Sequence, residues 1–244
     1  MRWCAAGVLC VLCCPSPAYA QARWQAWADA TILRVATERL RYAIDAEPKS
    51  ELTAWVSVET TPHVAYAVTP LLDVVGEVNL EIDNHRGRAN GLTVTPRVGA
   101  QLHALSRIIG FHSANPDAGI EPRPRRRLDL GSLLRLERQL RVSGDPAAGW
   151  RFRDRCSAAY PLNRMKTTAD GAISVTSDIE AFVPLASPVR GGRISHIRIR
   201  NGVGYRRNFA WRFQMLYVVD TVRNTLGAME VRSQAIDVLV TRAF

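Results

Sequence analysis

The chain ends Ser233-Gln-Ala-Ile-Asp-Val-Leu-Val-Thr-Arg-Ala-Phe244, and the reading of this stretch decides the fold. Side chains alternate between the two faces of a β-strand. Extended, the stretch sets Ile236, Val238, Val240 and Phe244 on one face and Ala235, Asp237, Leu239 and Thr241 on the other. The same alternation runs back through the chain. In 209–220, Phe209, Trp211, Phe213, Met215, Tyr217 and Val219 oppose Arg212, Gln214 and Asp220. In 194–205, Ile197, Ile199, Val203 and Tyr205 oppose His196, Arg198 and Arg200. Further strands are expected over 24–35, 38–46, 53–68, 71–83, 92–104, 127–142, 150–162 and 173–185. No amphipathic helix interrupts them.

Eleven apolar/polar alternations in one chain predict an all-β fold, an antiparallel up-and-down transmembrane barrel. Single-chain bacterial barrels have even strand numbers, so twelve strands are expected, with ten as the alternative. The Pro- and Arg-rich stretch Ser113 to Arg126 reads as an external loop, with room for one more strand near 105–112. Alternation does not say which face is inside, because soluble sandwiches and lipocalin-like barrels alternate too. Trp24, Trp150, Tyr160, Tyr205 and Trp211 near strand ends favour the membrane form, where aromatic girdles mark the interfaces.

The beginning of the chain agrees. Met1-Arg2 is positively charged, Trp3 to Cys14 is apolar, and Pro15-Ser-Pro-Ala-Tyr-Ala20 supplies an A-x-A-type cleavage site, the pattern of a secretory signal peptide. Residues 1–20 are expected to be removed, leaving 21–244 as one barrel domain. The apolar run falls short of the roughly 20 residues of a membrane-spanning helix. Cys4, Cys10, Cys13 and Cys14 leave with the leader, and Cys156 alone excludes an internal disulfide or a cysteine metal cluster. The net charge falls from +10 to +9, nearly all of it arginine, since Lys49 and Lys166 are the only lysines. Such basicity raises nucleic acid as a partner. Export and the strand-like spacing of the arginines argue against it.

The closing strand resembles that of bacterial outer-membrane barrels, in which the terminal aromatic belongs to the signal read by the barrel-assembly machinery. The resemblance implies that role for Phe244. Leu133-Leu-Arg-Leu-Glu-Arg-Gln, Trp150-Arg-Phe-Arg-Asp-Arg, Tyr160-Pro-Leu, Asp178-Ile-Glu-Ala-Phe and Arg198-Ile-Arg-Asn-Gly-Val-Gly-Tyr resemble an uncharacterised Gram-negative family, domain of unknown function number twenty-four ninety. The similarity is best over 127–244. It implies an outer-membrane barrel in contact with outer-membrane lipid, and it implies no activity.

With the apolar face in lipid, the expected lumen lining is Glu77, Glu81, Arg135, Glu137, Arg151, Arg153, Arg155, Asp178, Glu180, His196, Arg198, Arg200, Arg212 and Asp237. A hairpin centred near Val189 sets Glu180 opposite Arg198 and Asp178 opposite Arg200. Two functional readings follow. Arginine rings favour anions, which predicts a small, porin-like channel with a weak anion preference. Mutual pairing of these charges instead predicts a closed barrel that acts structurally or binds a partner through its loops, Ser113 to Arg126 especially. A lipid hydrolase ranks last. Ser195 and His196 are adjacent, so they point to opposite faces of a strand and form no dyad. His63 and His103 read as hydrogen-bonded lumen residues. No catalytic set, cofactor or metal is expected, and Gly202 and Gly204 read as close-packing points rather than a phosphate loop.

Overall fold

A computed structural model describes residues 23–51, 54–84, 91–103, 128–143, 149–185, 194–224 and 226–244. The expected leader lies outside them. The strands are β1 (Arg23–Val35), β2 (Leu40–Glu51), β3 (Ala54–Thr69), β4 (Leu72–Asp83), β5 (Gly91–Leu102), β6 (Asp129–Arg141), β7 (Gly149–Pro161), β8 (Ala172–Pro184), β9 (His196–Arg206), β10 (Trp211–Arg223) and β11 (Met229–Ala243). Each pairs antiparallel with the next, and β11 closes on β1 to complete a barrel.

The barrel thus has eleven strands among the described residues, the number of alternations in the sequence, rather than twelve. The physical reason lies at the seam. An odd number of up-and-down strands leaves the first and last running in the same direction, and here they pair in parallel from Arg23↔Ser233 to Leu33↔Ala243. The even-number rule assumes an antiparallel closure, which this barrel does not have. Residues near 105–112 lie outside the described residues, but β5 and β6 pair directly (Arg97↔Glu137), so no strand stands between them in the wall.

Strand direction also assigns the loops to ends. The short connections 36–39, 70–71 and 207–210 lie at the end that carries Phe244. So do Leu102 and Asp129, the strand ends that flank Ser113 to Arg126. Ser113 to Arg126 itself lies outside the described residues.

The two faces are sorted by polarity, with the charges inside. Glu137 and Glu180 are 0% exposed, whereas Val98 and Met215 on the outer face are 56% and 55% exposed. Ile44, Val58, Val78, Leu80, Leu134, Ile179, Val203 and Val238 continue that outer apolar surface around the wall. This inverts a soluble barrel, where burial drives the apolar face inward. A tilted strand of thirteen residues rises about 30 Å, enough to carry the ~25 Å apolar band of a membrane barrel.

Among the described residues, Trp27, Leu216, Val218 and Ala235, with Leu239 against them, form an apolar patch on the wall around the seam. Two glycines set how closely strands approach. A Cβ on Gly202 would fall 2.0 Å from the Met215 carbonyl oxygen, and one on Gly99 would fall 2.5 Å from the Leu134 carbonyl oxygen and 2.8 Å from Arg135 Cγ. Gly99 thereby leaves the path along which Arg135 enters the lumen.

Candidate functional site: an ion-paired girdle in the lumen

The charged residues gather because successive strands hand their inward faces to one another in register. Glu77 pairs with Arg97, Arg97 with Glu137, Glu137 with Arg151, and Arg135 with Arg153 across β4 to β7. Between β7, β8 and β9, Arg155 stands opposite Glu180, Glu180 opposite Arg198, and Asp178 opposite Arg200. The side chains then reach past their register partners. Arg135 Nη1 donates to Glu77 at 2.9 Å, and its Nη2 to Glu180 at 3.1 Å. Arg153 donates to Glu180 through Nε and reaches Glu137 from Nη1 at 3.3 Å. Arg97 lies 3.2 Å from Glu137, which also accepts from Arg151. Arg200 donates to Asp178 at 2.8 Å and lies 3.7 Å from Glu180, and Arg155 donates to the other Asp178 oxygen at 3.0 Å.

The girdle therefore joins residues far apart in sequence into one alternating network. Buried charges require such pairing, because an uncompensated ion in a low-dielectric interior costs several kcal/mol. Phe182 extends it upward. The guanidinium groups of Arg151 and Arg153 lie 5.0 and 4.8 Å from its ring centroid, and the His196 ring stacks on it at 4.3 Å. His196 Nε2 lies 2.6 Å from Asp220 Oδ1, and Arg198 donates to the same oxygen at 2.9 Å.

Cavities lie on both sides of the girdle. One of about 380 Å³ opens toward the Arg23 end and is lined by Asp29, Glu47, Glu81, Asp83, Arg151 and Arg198, among others. A second of about 390 Å³ opens toward the Phe244 end and is lined by His103, Asp129, Ser157, Thr176 and Arg212. Arg155 lines both, and a third cavity of about 250 Å³ beside Arg41, His63 and Ala65 shares Glu77 and Arg135 with the first, Gln101 and Leu133 with the second, and Arg155 with each.

Of the residues expected in the lumen, Glu77, Arg135, Glu137, Arg151, Arg153, Arg155, Asp178, Glu180 and Arg200 meet in the girdle. His196 and Arg198 sit on the Asp220 branch. Glu81 and Arg212 line separate chambers, and Asp237, 1% exposed, lies in the wall at the seam. Phe244 lies on the outer rim, where Arg242 spans its ring and that of Trp211 at 4.6 and 5.0 Å.

Sequence reasoning missed Lys49, which pairs with Glu59, because the strand expected over 38–46 stops short of it. It also passed over Arg97, Asp73 and Asp220, although their parity placed them inward. Asp73 is paired with Arg41 and lies 2.7 Å from His103 Nε2. Trp27, three residues from the outward Trp24, faces the lumen beneath Lys49 and Arg198, 4.8 and 4.9 Å from its ring.

His63, His103 and His196 are held by carboxylates, and Ser195 Oγ donates to the Phe182 carbonyl rather than to a base. Among the described residues no group of His, Cys, Asp and Glu has the arrangement of a metal site. Neither a curated protein nor a solved structure matches this chain. A family model does match, over residues 19–229, which takes in β1 to β10 and stops where β11 begins. A closed barrel with an arginine–carboxylate girdle, matched along most of its length, belongs to the family of proteins of unknown function DUF2490.

Proposed function

We propose that the chain is an outer-membrane β-barrel, exported with a cleaved leader, whose lumen is held shut at mid-height by its ion-paired girdle. The observation that carries this reading is the inverted polarity of the wall. Val98 and Met215 stand more than half exposed on the outside while Glu137 and Glu180 are sealed within. In water that arrangement would expose a continuous apolar surface of a kind that monomeric soluble proteins avoid. In a bilayer it is the stable one. Lipid surrounds the wall, and the barrel-assembly machinery reads Phe244 during biogenesis. The role is structural or partner-binding, without catalysis and without nucleic acid. With Phe244 at the periplasmic face, the chamber lined by Asp29 and Glu81 opens to the outside.

A second reading, the small channel with a weak anion preference, is favoured by one specific feature. The cavities at the two ends share Arg155 and both border the third, so displacement of a few guanidinium groups would join them. Against it stands the pairing of Arg135, Arg153 and Arg200 with carboxylates, which ties the guanidinium groups down even though the six arginines of the girdle outnumber its four carboxylates.

The membrane assignment is tested by expressing the full chain in a Gram-negative host. The expected result is a heat-modifiable band in the outer-membrane fraction whose N-terminal residue is Gln21. A soluble periplasmic product, or one retaining residues 1–20, would overturn it.

A further inference from the structure

The girdle leaves hydrogen-bond donors over. Arg97, Arg135, Arg151, Arg153, Arg155 and Arg200 share Glu77, Glu137, Asp178 and Glu180, six guanidinium groups to four carboxylates. Four of their nitrogens are buried without a hydrogen-bond partner, namely Arg97 Nε, Arg135 Nε, Arg155 Nε and Arg200 Nη2. Two of these have a carboxylate at hand. Arg97 Nε lies 3.2 Å from Glu137, and Arg200 Nη2 faces the equally unpartnered Glu180 Oε2 at 3.7 Å. The other two are left over. Arg135 is 6% exposed, and its Nε stands 4.0 Å from Glu137, beyond hydrogen-bond reach. Arg155 spends Nη2 on Asp178 and leaves Nε unused.

Both side chains line the third cavity, and Gln101 joins them there. The register sets the three on one patch of wall. Gln101 pairs with Leu133 and Leu133 with Arg155, a row across β5, β6 and β7, and Arg135 is one inward step along β6. Among the described residues the Gln101 side chain makes no hydrogen bond. The carboxylates that line the same cavity are already engaged, Asp45 by Thr31 and His63, Glu77 by Arg97 and Arg135. A buried guanidinium N–H without an acceptor is costly until one reaches it.

We infer that the third cavity is a binding site for a small oxyanion of the phosphate type, held by Arg135, Arg155 and Gln101. Arg41, Arg135 and Arg155 outnumber Asp45 and Glu77 around it, a balance that an anion answers and a cation does not. An oxyanion fits better than a halide, because N–H groups arriving from three strands need several acceptor atoms, and guanidinium groups match phosphate and carboxylate oxygens. The site lies inside the barrel wall, so its ligand is a free ion rather than a lipid headgroup. The inference goes beyond the membrane role and needs only the folded barrel, so a silent or a conducting lumen leaves it standing.

The test is calorimetric titration of inorganic phosphate into the detergent-folded, heat-modifiable protein, with sodium chloride holding the ionic strength constant. The expected result is saturable binding of one phosphate per barrel. Arg155→Gln should weaken it about tenfold or more, the cost of one charge-assisted hydrogen bond. Gln101→Leu should weaken it less but measurably, with no change of net charge. Arg138→Gln removes the same charge from the outer face, where Arg138 lies over Trp150, and should leave binding unchanged. If Arg155→Gln gives no heat-modifiable barrel, Gln101→Leu alone carries the test. No saturable binding, binding unchanged by Arg155→Gln and Gln101→Leu, or an equal loss in Arg138→Gln would overturn the inference.

Discussion

Glu180 shows how much one side chain can hold in this lumen. Fully buried, it is shared by Arg135, Arg153 and Arg200, drawn from three other strands. Replacing it with alanine leaves those guanidinium groups short of a counter-charge. Breaking a buried pair in this way costs roughly 3–5 kcal/mol. Urea unfolding of Glu180→Ala in lipid vesicles should show that loss, and an unchanged midpoint would mean that the network is not a stabilising unit. Gly202→Ala places a Cβ against the Met215 carbonyl and forces β9 from β10. It should cost about 1–3 kcal/mol by overpacking, read from the same unfolding curves. The parity of Asp178, Glu180, Arg198 and Arg200 was legible in the sequence, and so was the β8–β9 register that opposes them. The contact between Arg135 and Glu180, 45 residues apart, was not. Alternation reports which face a side chain takes, whereas long arginines choose partners two strands away. Lys49 was hidden for a different reason. Pro48 donates no ladder hydrogen bond and so marks a strand edge in sequence, yet β2 runs on to Glu51.

At the scale of the element, each strand is a two-sided object whose sides answer to different solvents. Ile179, at mid-β8, is 48% exposed on the outer face. Arginine there should cost about 2–4 kcal/mol if the wall meets the bilayer midplane. In a water-exposed wall the same change would be near neutral. Unfolding of Ile179→Arg in vesicles separates the two cases. The last strand carries a further consequence. The Phe244 backbone closes the seam with Leu33 and Val35, through N–H···O contacts of 3.0 and 3.3 Å. Deleting Phe244 should leave the barrel foldable in detergent but lower its yield in the outer membrane of cells, measured as the heat-modifiable fraction. Equal yield would remove the assembly role. All eleven strands could be read from alternation, with bounds displaced mainly where a strand runs past a proline or into a bulge, as at Asp220/Thr221.

For the whole molecule, closure and polarity together make the account. The parallel seam is what makes an eleven-strand barrel close, so a bond across it tests the strand count directly. Ala28 and Val238 are register partners on the outer face. In a Cys156→Ser background, Ala28→Cys with Val238→Cys should form a disulfide on oxidation, detected as a cross-linked peptide by mass spectrometry. Ala28→Cys with Val240→Cys, one register step away on the same face, should form far less. Equal yields would contradict the seam. Inside the closed wall, the girdle stands between the cavities at the two ends and pairs its arginines with carboxylates. The most direct test is the conductance of the refolded mature barrel in a planar bilayer under a salt gradient. Heat-modifiable protein that inserts yet gives no steady openings is the predicted result. Steady openings with a reversal potential favouring anions, weakened by Arg153→Ala and Arg155→Ala, would contradict a closed lumen and establish the channel.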